Sequence, residues 1–221
     1  ALDTISDIVC IAIDPTNTSK VFIGTYDEGI LEIENFKLKN IYTHTNSSLG
    51  QLLGYKYVYV TGLAFDSKNN LWAANSGAGN MLSVKTTKDE WYSFNIGNSN
   101  LSHIMVDDND YKWILNRDGY CIVYNDNNTI SNPDDDEYKI LTKASGQGGL
   151  PDFANCMAVD SKGTVWVGTN DGLATFYSTH KIFQQGANYD ASRILVPRND
   201  GSGQADYLLS GESVLSIAID D

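Results

Sequence analysis

The sequence predicts an all-β fold, a partial β-propeller of four four-stranded antiparallel blades followed by the first strand of a fifth blade. Two observations lead to this fold class. A unit of three short strand signals recurs along the 221 residues, with an aspartate at the end of its first strand and an aromatic residue in its second. The apolar segments also alternate with period 2, which is typical of half-buried strands and not of amphipathic helices.

The spacing of the repeat points to a propeller. The aligned aspartates are 52, 41, 53 and 60 residues apart, and periods of about 40–50 residues with several short strands per unit are typical of propellers. A tryptophan follows its aspartate by six residues in three units, whereas a phenylalanine follows by eight residues in the first unit. The aligned residues are Asp14, Asp66, Asp107, Asp160 and Asp220, with Phe22, Trp72, Trp113 and Trp166.

The repeats divide the chain into blades joined by polar, glycine-containing loops. The blades are predicted at about 8–45, 58–96, 101–143 and 153–210, with the strand of the next blade at 213–219. The fourth strands are predicted at 38–44, 90–95, 137–142 and 193–196, the last with or without 207–209. Because repeat signals reach both ends of the sequence, we expect the chain to be cut from a longer protein.

Composition and charge narrow the classes of partner. The net charge is −13, and binding to nucleic acid needs clustered lysine and arginine, so a nucleic-acid partner is not expected. The same charge disfavours anionic membrane surfaces. The sequence contains no apolar run near 18 residues, so we expect no membrane insertion of this segment. The three cysteines, Cys10, Cys121 and Cys156, are expected to be buried thiols and not a disulfide framework.

The repeated aspartates and aromatic residues are interpreted as structural. An aspartate at the end of a strand, before a turn rich in Ser, Lys, Asn and Gly, can accept hydrogen bonds from the amides of that turn. The aromatic residue of each second strand is expected to pack between neighbouring sheets. Catalytic carboxylates would form one special pair and would not recur in every repeat. The sequence therefore predicts no enzyme activity and no cofactor.

Three other places are candidates for binding. Trp91 is the one tryptophan outside the repeat position, and it is either a packing residue or a surface on which a sugar stacks. His103 occupies a variable position of a first strand that can face the central channel, where it would line a pocket. An acidic insert is a candidate calcium site, because Ca²⁺ takes six to eight oxygen ligands, although a solvated loop explains it more simply. The insert spans residues 125–137, and its clustered carboxylates are Asp134, Asp135, Asp136 and Glu137.

The letters WVGTNDGL at residues 166–173, within the unit at 150–177, carry a resemblance to a known family. The pattern resembles the two-component-regulator propeller repeat, and residues 101–219 are similar to the propeller of PorZ-like surface components of the type IX secretion system. The units at Trp72 and Trp113 depart from it, because they lack the Gly-Thr pair. The resemblance implies a periplasmic or cell-surface location and a role in binding or assembly. It brings no catalytic motif.

Three functions stay open from the sequence. The first is a non-catalytic recognition or assembly scaffold of a bacterial surface or secretion protein. The second is the periplasmic, oligosaccharide-sensing region of a hybrid two-component sensor, and the third is a propeller-fold glycan hydrolase or lyase. The open faces of blades one and four are expected to be covered by a protein partner or by another copy, because large bare apolar patches are rare. A glycan is a further candidate partner.

Overall fold

The chain folds into consecutive antiparallel sheets, one for each repeat. The computed structural model describes residues 7–97 and 100–220. Blade one contains β1 (Ile8–Ile13), β2 (Lys20–Thr25), β3 (Ile30–Glu34) and β4 (Lys37–Tyr42). Blade two contains β5 (Val60–Phe65), β6 (Leu71–Asn75), β7 (Leu82–Lys85) and β8 (Trp91–Phe94). Each blade is a meander in which neighbours in sequence are neighbours in the sheet.

The second half of the chain repeats the arrangement with one change. Blade three contains β9 (Leu101–Val106), β10 (Lys112–Asn116), β11 (Cys121–Asn125) and β12 (Glu137–Leu141). Blade four contains β13 (Ala154–Val159), β14 (Val165–Thr169) and β15 (Gly172–Phe176). A separate hairpin contains β16 (Leu195–Pro197) and β17 (Ala205–Tyr207), and short 3₁₀ turns lie at Pro133–Asp135 and Thr179–Phe183. The predicted fold class, an all-β partial propeller, is confirmed.

The hydrophobic core lies between the blades. A cluster that includes Phe22 and Val60 joins blades one and two, one that includes Trp72 and Ile104 joins blades two and three, and one around Trp113 joins blades three and four. Each blade is a single sheet, so it buries its apolar side chains only where a neighbouring blade packs on it.

The first strands of consecutive blades approach so closely that side chains are excluded at some positions. A Cβ atom on Gly62 of β5 would lie 2.7 Å from the backbone nitrogen of Ile104 in β9. Because backbone cannot yield as a flexible side chain does, this position requires glycine. The close approach fixes the distance between the inner edges of blades two and three.

We expect Gly62→Ala to lower the free energy of unfolding by about 1–3 kcal/mol, because the added methyl group forces β5 and β9 apart. Gly79→Ala is the matched control, since a Cβ atom there meets nothing within 4 Å. Denaturant titration of the two variants measures the difference. Equal stabilities would contradict the interpretation that the inner strands are in contact.

Blade four differs from the prediction in its fourth strand. The segments predicted to supply it pair with each other as β16 and β17. Among the described residues, β15 forms one isolated β-bridge with this region, between Thr175 and Ser192. The next residue, Arg193, turns back to Asp171, with 3.1 Å between guanidinium and carboxylate. The ladder on β15 therefore does not extend beyond a single bridge in the part of the chain that the structure describes.

The predicted first strand at 213–219 is not part of any sheet among the described residues. Val214 N–H donates to the carbonyl of Thr169 at 2.9 Å, and the Cys156 thiol lies 3.5 Å from the carbonyl oxygen of Val214. The Cys10 thiol meets the carbonyl oxygen of Val60 in β5 in the same way, at 3.8 Å. The segment therefore has the place of a first strand, but the described residues provide no second strand to pair with it.

Candidate functional site

The aspartate turns form one end of the propeller, and Asp66 shows their geometry. One carboxylate oxygen of Asp66 accepts the backbone N–H groups of Lys68 at 3.0 Å and Asn70 at 2.8 Å. The other oxygen accepts the indole N–H of Trp72 at 2.9 Å. The side chain thus closes its own turn and fixes the tryptophan of the following strand.

The same arrangement recurs at Asp107 and Asp160. Their second oxygens accept the indole N–H groups of Trp113 at 3.0 Å and Trp166 at 2.9 Å. The turn amides that donate to their first oxygens are those of Asn109 and Tyr111, and of Lys162 and Thr164. With these donors in place, the carboxylates are held as hydrogen-bond acceptors, buried at Asp66 and Asp107 and half-buried at Asp160.

The turns share a backbone feature as well. The third residue after the aspartate has a left-handed conformation, with φ of 63° at Asn69, 60° at Asp110 and 75° at Gly163. Asparagine, aspartate and glycine tolerate this region better than other residues do. The first repeat lacks the feature because its turn is two residues longer, and Asp14 instead accepts N–H groups of Thr16 and Asn17.

Hydrogen bonds lower the pKa values of two of these carboxyl groups. Burial alone would raise the pKa of Asp14, but the hydrogen bonds from Thr16, Asn69 and Asn17 outweigh it, and the pKa lies below its usual range. At Asp160 the indole of Trp166 is the largest cause of a lowered pKa, followed by the turn amides. Both groups therefore favour the folded state when they are ionised.

We expect the fold to lose stability as the pH falls below about 4, the unfolded pKa of aspartate. A carboxyl group whose pKa is lowered on folding stabilises above its unfolded pKa, and this contribution disappears as the pH falls through the folded pKa. The free energy of unfolding measured from neutral pH to about pH 2 tests this. In the double variant Asp14→Asn with Asp160→Asn, the free energy of unfolding should fall less steeply as the pH is lowered. An unchanged pH dependence would contradict the conclusion that these two carboxylates stabilise the fold.

An open cavity of about 770 Å³ lies at the ends of β1, β5 and β9, beside the aspartate turns. We call it the acidic bowl. Its wall on the side of blade one is aliphatic, whereas its turn side carries hydroxyl, amide and carboxylate groups. Residues that line it include Ile11, Ile13, Thr16, Asn69, Asp108 and Asp110. The bowl combines an apolar wall with acceptor oxygens, which suits a ligand with both an apolar face and hydrogen-bond donors.

His103 and Trp91 lie away from the acidic bowl. His103 is an exposed residue of β9, and although it reaches solvent, partial desolvation lowers the pKa of its imidazole. Trp91 is half-buried in β8 and packs against the core between blades one and two, with its ring 5.1 Å from that of Tyr42. The structure does not bring the two residues together, and a role of either in binding stays a prediction.

The acidic insert is organised by hydrogen bonds within the insert and to blade three. Asp135 accepts the hydroxyl of Thr129 at 2.8 Å, and Asp136 accepts the hydroxyl of Tyr124. Desolvation, together with the nearby carboxylates of Asp126 and Asp135, raises the pKa of Asp136. Across residues 7–97 and 100–220, no group of three or more His, Cys, Asp or Glu is arranged to hold a metal ion. Asp134 and Glu137 are exposed, and binding of calcium by the insert stays a prediction.

The three cysteines are free thiols. Burial raises the pKa of Cys10 and of Cys121 to about 12, and it also raises that of Cys156. Such groups remain protonated near neutral pH and are poor nucleophiles. Within the part of the chain that the structure describes, no helix is long and apolar enough to span a bilayer.

Comparison with known proteins supports the resemblance seen in the sequence. Residues 148–171 match the family model of the two component regulator propeller. The resemblance to this propeller repeat is therefore confirmed. A search of curated proteins found no match.

Solved structures share the propeller fold. PorZ, a bacterial surface component of the type-IX secretion system of Porphyromonas gingivalis, superposes with a TM-score of 0.82 and 22% identity over 96% of this chain. The extracellular domain of a hybrid two component system from B. thetaiotaomicron superposes with a TM-score of 0.57 and 19% identity over 94% of this chain. The chain spans 30% and 27% of those two proteins. Virginiamycin B lyase from Staphylococcus aureus superposes with a TM-score of 0.59 and 12% identity, and the match covers 94% of this chain and 65% of the lyase. Identities this low show a shared fold alone.

Proposed function

We propose that this propeller is a non-catalytic recognition or assembly scaffold of an extracytoplasmic bacterial protein, at the cell surface or in the periplasm. The observation that carries the proposal is the use of the repeat carboxylates. Asp66, Asp107 and Asp160 each hold a turn and an indole with both oxygens. Carboxylates committed in this way are not free to transfer protons or to attack a substrate.

The similarity to PorZ supports the scaffold class, since that protein is a surface component of a secretion system. Membership of this chain in the same system is part of the proposal. The match to the two component regulator propeller and the fold shared with a sensor's extracellular domain support an extracytoplasmic location.

A second candidate function, the sensing of oligosaccharides, is favoured by the acidic bowl. Its volume of about 770 Å³ is within the usual range for ligand pockets. Its acceptor oxygens, including those of Asp108 and Asp110, could accept hydrogen bonds from sugar hydroxyls. Glycan cleavage is the third and least supported candidate, because the lyase comparison shows the fold alone.

One experiment separates the three candidates. The chain is incubated with an oligosaccharide array, and both retained ligand and released products are measured. The scaffold proposal expects neither saturable binding nor products. Saturable binding that is lost in Asp108→Asn with Asp110→Asn, but kept in the control Asp134→Asn, would establish the sensing function. Products formed in proportion to enzyme concentration would overturn the non-catalytic proposal.

A further inference from the structure

A row of tyrosine rings lies at the end of the propeller opposite the aspartate turns. Tyr26 directly follows β2, whereas Asp14 lies before the other end of that strand. The ring centre of Tyr57 is 5.9 Å from that of Tyr55 and 5.9 Å from that of Tyr26. The ring centre of Tyr26 is in turn 4.6 Å from that of Tyr59. We call these four residues the tyrosine row.

The tyrosine row is built by loops of three blades. Three of its residues belong to the segment 43–59, which joins β4 of blade one to β5 of blade two, and the fourth lies in the turn between β2 and β3. Arg117, in the turn between β10 and β11 of blade three, donates to the hydroxyl of Tyr59 at 2.7 Å. The row therefore lies over the junctions of consecutive blades and not on the outer face of blade one or blade four.

Backbone hydrogen bonds fix the loops that carry the rings. The N–H group of Val58 donates to the carbonyl of Asp27 at 2.9 Å, and that of Gly29 donates to the carbonyl of Val58 at 3.0 Å. The N–H group of Leu52 donates to the carbonyl of Tyr57 at 2.7 Å. A partner thus meets rings that are already in place, so less conformational entropy is lost when it binds.

The exposed rings of the row do not complete the core. Tyr55 is 62% exposed, Tyr57 is 42% exposed and Tyr26 is 41% exposed, and none of the three belongs to the core clusters that the described residues form between blades. Contiguous exposed apolar surface marks sites of interaction. Tyrosine is enriched at protein interfaces, because its ring supplies contact area and its hydroxyl supplies a hydrogen bond.

The tilt and spacing of the rings favour an extended peptide. The ring planes of Tyr57 and Tyr59 are inclined by 45° and 52° to that of Tyr26, so grooves lie between the rings in place of the flat platform on which a sugar ring stacks. Neighbouring ring centres are 4.6 to 5.9 Å apart, close to the advance of about 6 Å that two residues make in a polyproline II helix. Proline-rich segments bind aromatic-lined grooves in this conformation.

The end of the row beside blade three carries more acidic than basic side chains. Asp27 and Glu28 lie in the turn between β2 and β3, and Asp118 follows Arg117 in the turn between β10 and β11. Glu28 is exposed and forms an isolated bridge with Val58 of the row's own loop. Arg117 is already bonded to a tyrosine hydroxyl of the row. With a net charge of −13 on the chain, a basic partner is attracted to this end.

We propose that the tyrosine row binds a proline-rich segment of a partner protein, in the polyproline II conformation and with a lysine or arginine beside its prolines. The basic residue lies towards Glu28, away from Lys56 at the other end of the row. The inference rests on the proposed scaffold function and names the chemistry of its partner. Because a proline-rich chain is already extended before it binds, little entropy is lost when its prolines enter the grooves.

Fluorescence polarisation with synthetic peptides tests the proposal. The probes are short labelled peptides in which proline alternates with a varied residue and an arginine stands at one end, and the control peptides have alanine in place of every proline. We expect saturable binding of proline-containing probes to the unaltered chain, and about tenfold weaker binding or more to Tyr57→Ala. Tyr177→Ala is the matched control, because Tyr177 is 59% exposed and lies outside the row. It should bind as the unaltered chain does.

A second pair of variants tests the charge of the partner. Glu28→Gln should weaken binding of the arginine-containing probes about two- to fivefold, since exposed pairs of charges contribute modestly. Glu137→Gln is the matched control, because Glu137 is exposed in blade three and lies outside the row. An affinity that Glu28→Gln leaves unchanged would overturn the basic character assigned to the partner.

Three results with the peptides would overturn the proposal: no saturable binding, equal binding of the alanine peptides, or binding that Tyr57→Ala leaves intact. An oligosaccharide whose binding is lost in Tyr57→Ala would also overturn it, because the row would then bind a glycan. Circular dichroism verifies that each variant is folded. The oligosaccharide array tests the scaffold function separately, since glycan binding at the acidic bowl or glycan products would count against that function and not against the peptide site.

Discussion

Trp72→Ala is expected to lower the free energy of unfolding by about 3–5 kcal/mol, the usual range for removal of a buried aromatic side chain. Trp72 is 0% exposed, and its ring lies 5.7 Å from that of Phe94 and 6.0 Å from that of Tyr124, between blades two and three. The substitution opens a cavity at this contact. It also leaves a carboxylate oxygen of Asp66 without its indole donor, which adds the cost of an unsatisfied polar atom.

Chemical denaturation measures this effect, and two variants separate its causes. Trp72→Phe keeps an aromatic ring and removes the indole N–H, so we expect a smaller loss of about 1–3 kcal/mol. Trp166→Ala is the matched control in blade four, because Trp166 makes the same hydrogen bond to Asp160 but is only partly buried. Equal losses from Trp72→Ala and Trp166→Ala would contradict the conclusion that packing between blades supplies most of the effect.

The repeat predicted the fold because propeller blades differ little in their local requirements. A strand end followed by Asp, a turn residue that tolerates positive φ, and an aromatic residue in the next strand are all visible in the sequence. The hydrogen bond from Trp72 to Asp66, and its equivalents, were not predicted. The constant interval of six residues between aspartate and tryptophan is the feature from which these hydrogen bonds could have been predicted, since a fixed spacing across units indicates a direct contact.

The fourth strand of blade four was harder to predict because two nearby segments had strand character. Neither of them pairs with β15, and Arg193, which precedes β16, instead reaches Asp171 with its side chain across 22 residues of sequence. In the hairpin, Arg198 and Asp206 then hold β16 and β17 to each other. Long-range ion pairs of this kind leave no periodic pattern, so the sequence predicts strands here but not their partners.

Lys112 is a second feature that the hydrophobic periodicity of the sequence does not predict. Its position, just before the repeat tryptophan, is occupied by Val21, Leu71 and Val165 in the other units, and an isolated lysine is rarely buried. Here it is 1% exposed, with its ammonium group 2.6 Å from a carboxylate oxygen of Asp126 and 4.2 Å from the centre of the Trp72 ring. The buried charge is tolerated because the start of the acidic insert supplies its partner.

We therefore expect Lys112→Met to lower the free energy of unfolding by about 3–5 kcal/mol, because it leaves the carboxylate of Asp126 buried without a cation. Asp126 is 4% exposed, so water cannot take over that role. Asp126→Asn should also lower the free energy of unfolding, because it leaves the ammonium group of Lys112 buried without an anion. The double variant should be more stable than the sum of the two losses predicts, since it leaves no unpaired buried charge.

Denaturation of the four proteins gives the coupling energy directly. Lys85→Met is the matched control, because Lys85 pairs with Asp89, whose side chain is 79% exposed, and exposed pairs contribute about 0–1 kcal/mol. Additive losses at Lys112 and Asp126, within about 0.5 kcal/mol, would mean that the two groups do not stabilise each other. A large coupling would instead show that the acidic insert helps hold blade three in the propeller, because its carboxylate neutralises a lysine in the contact between blades two and three.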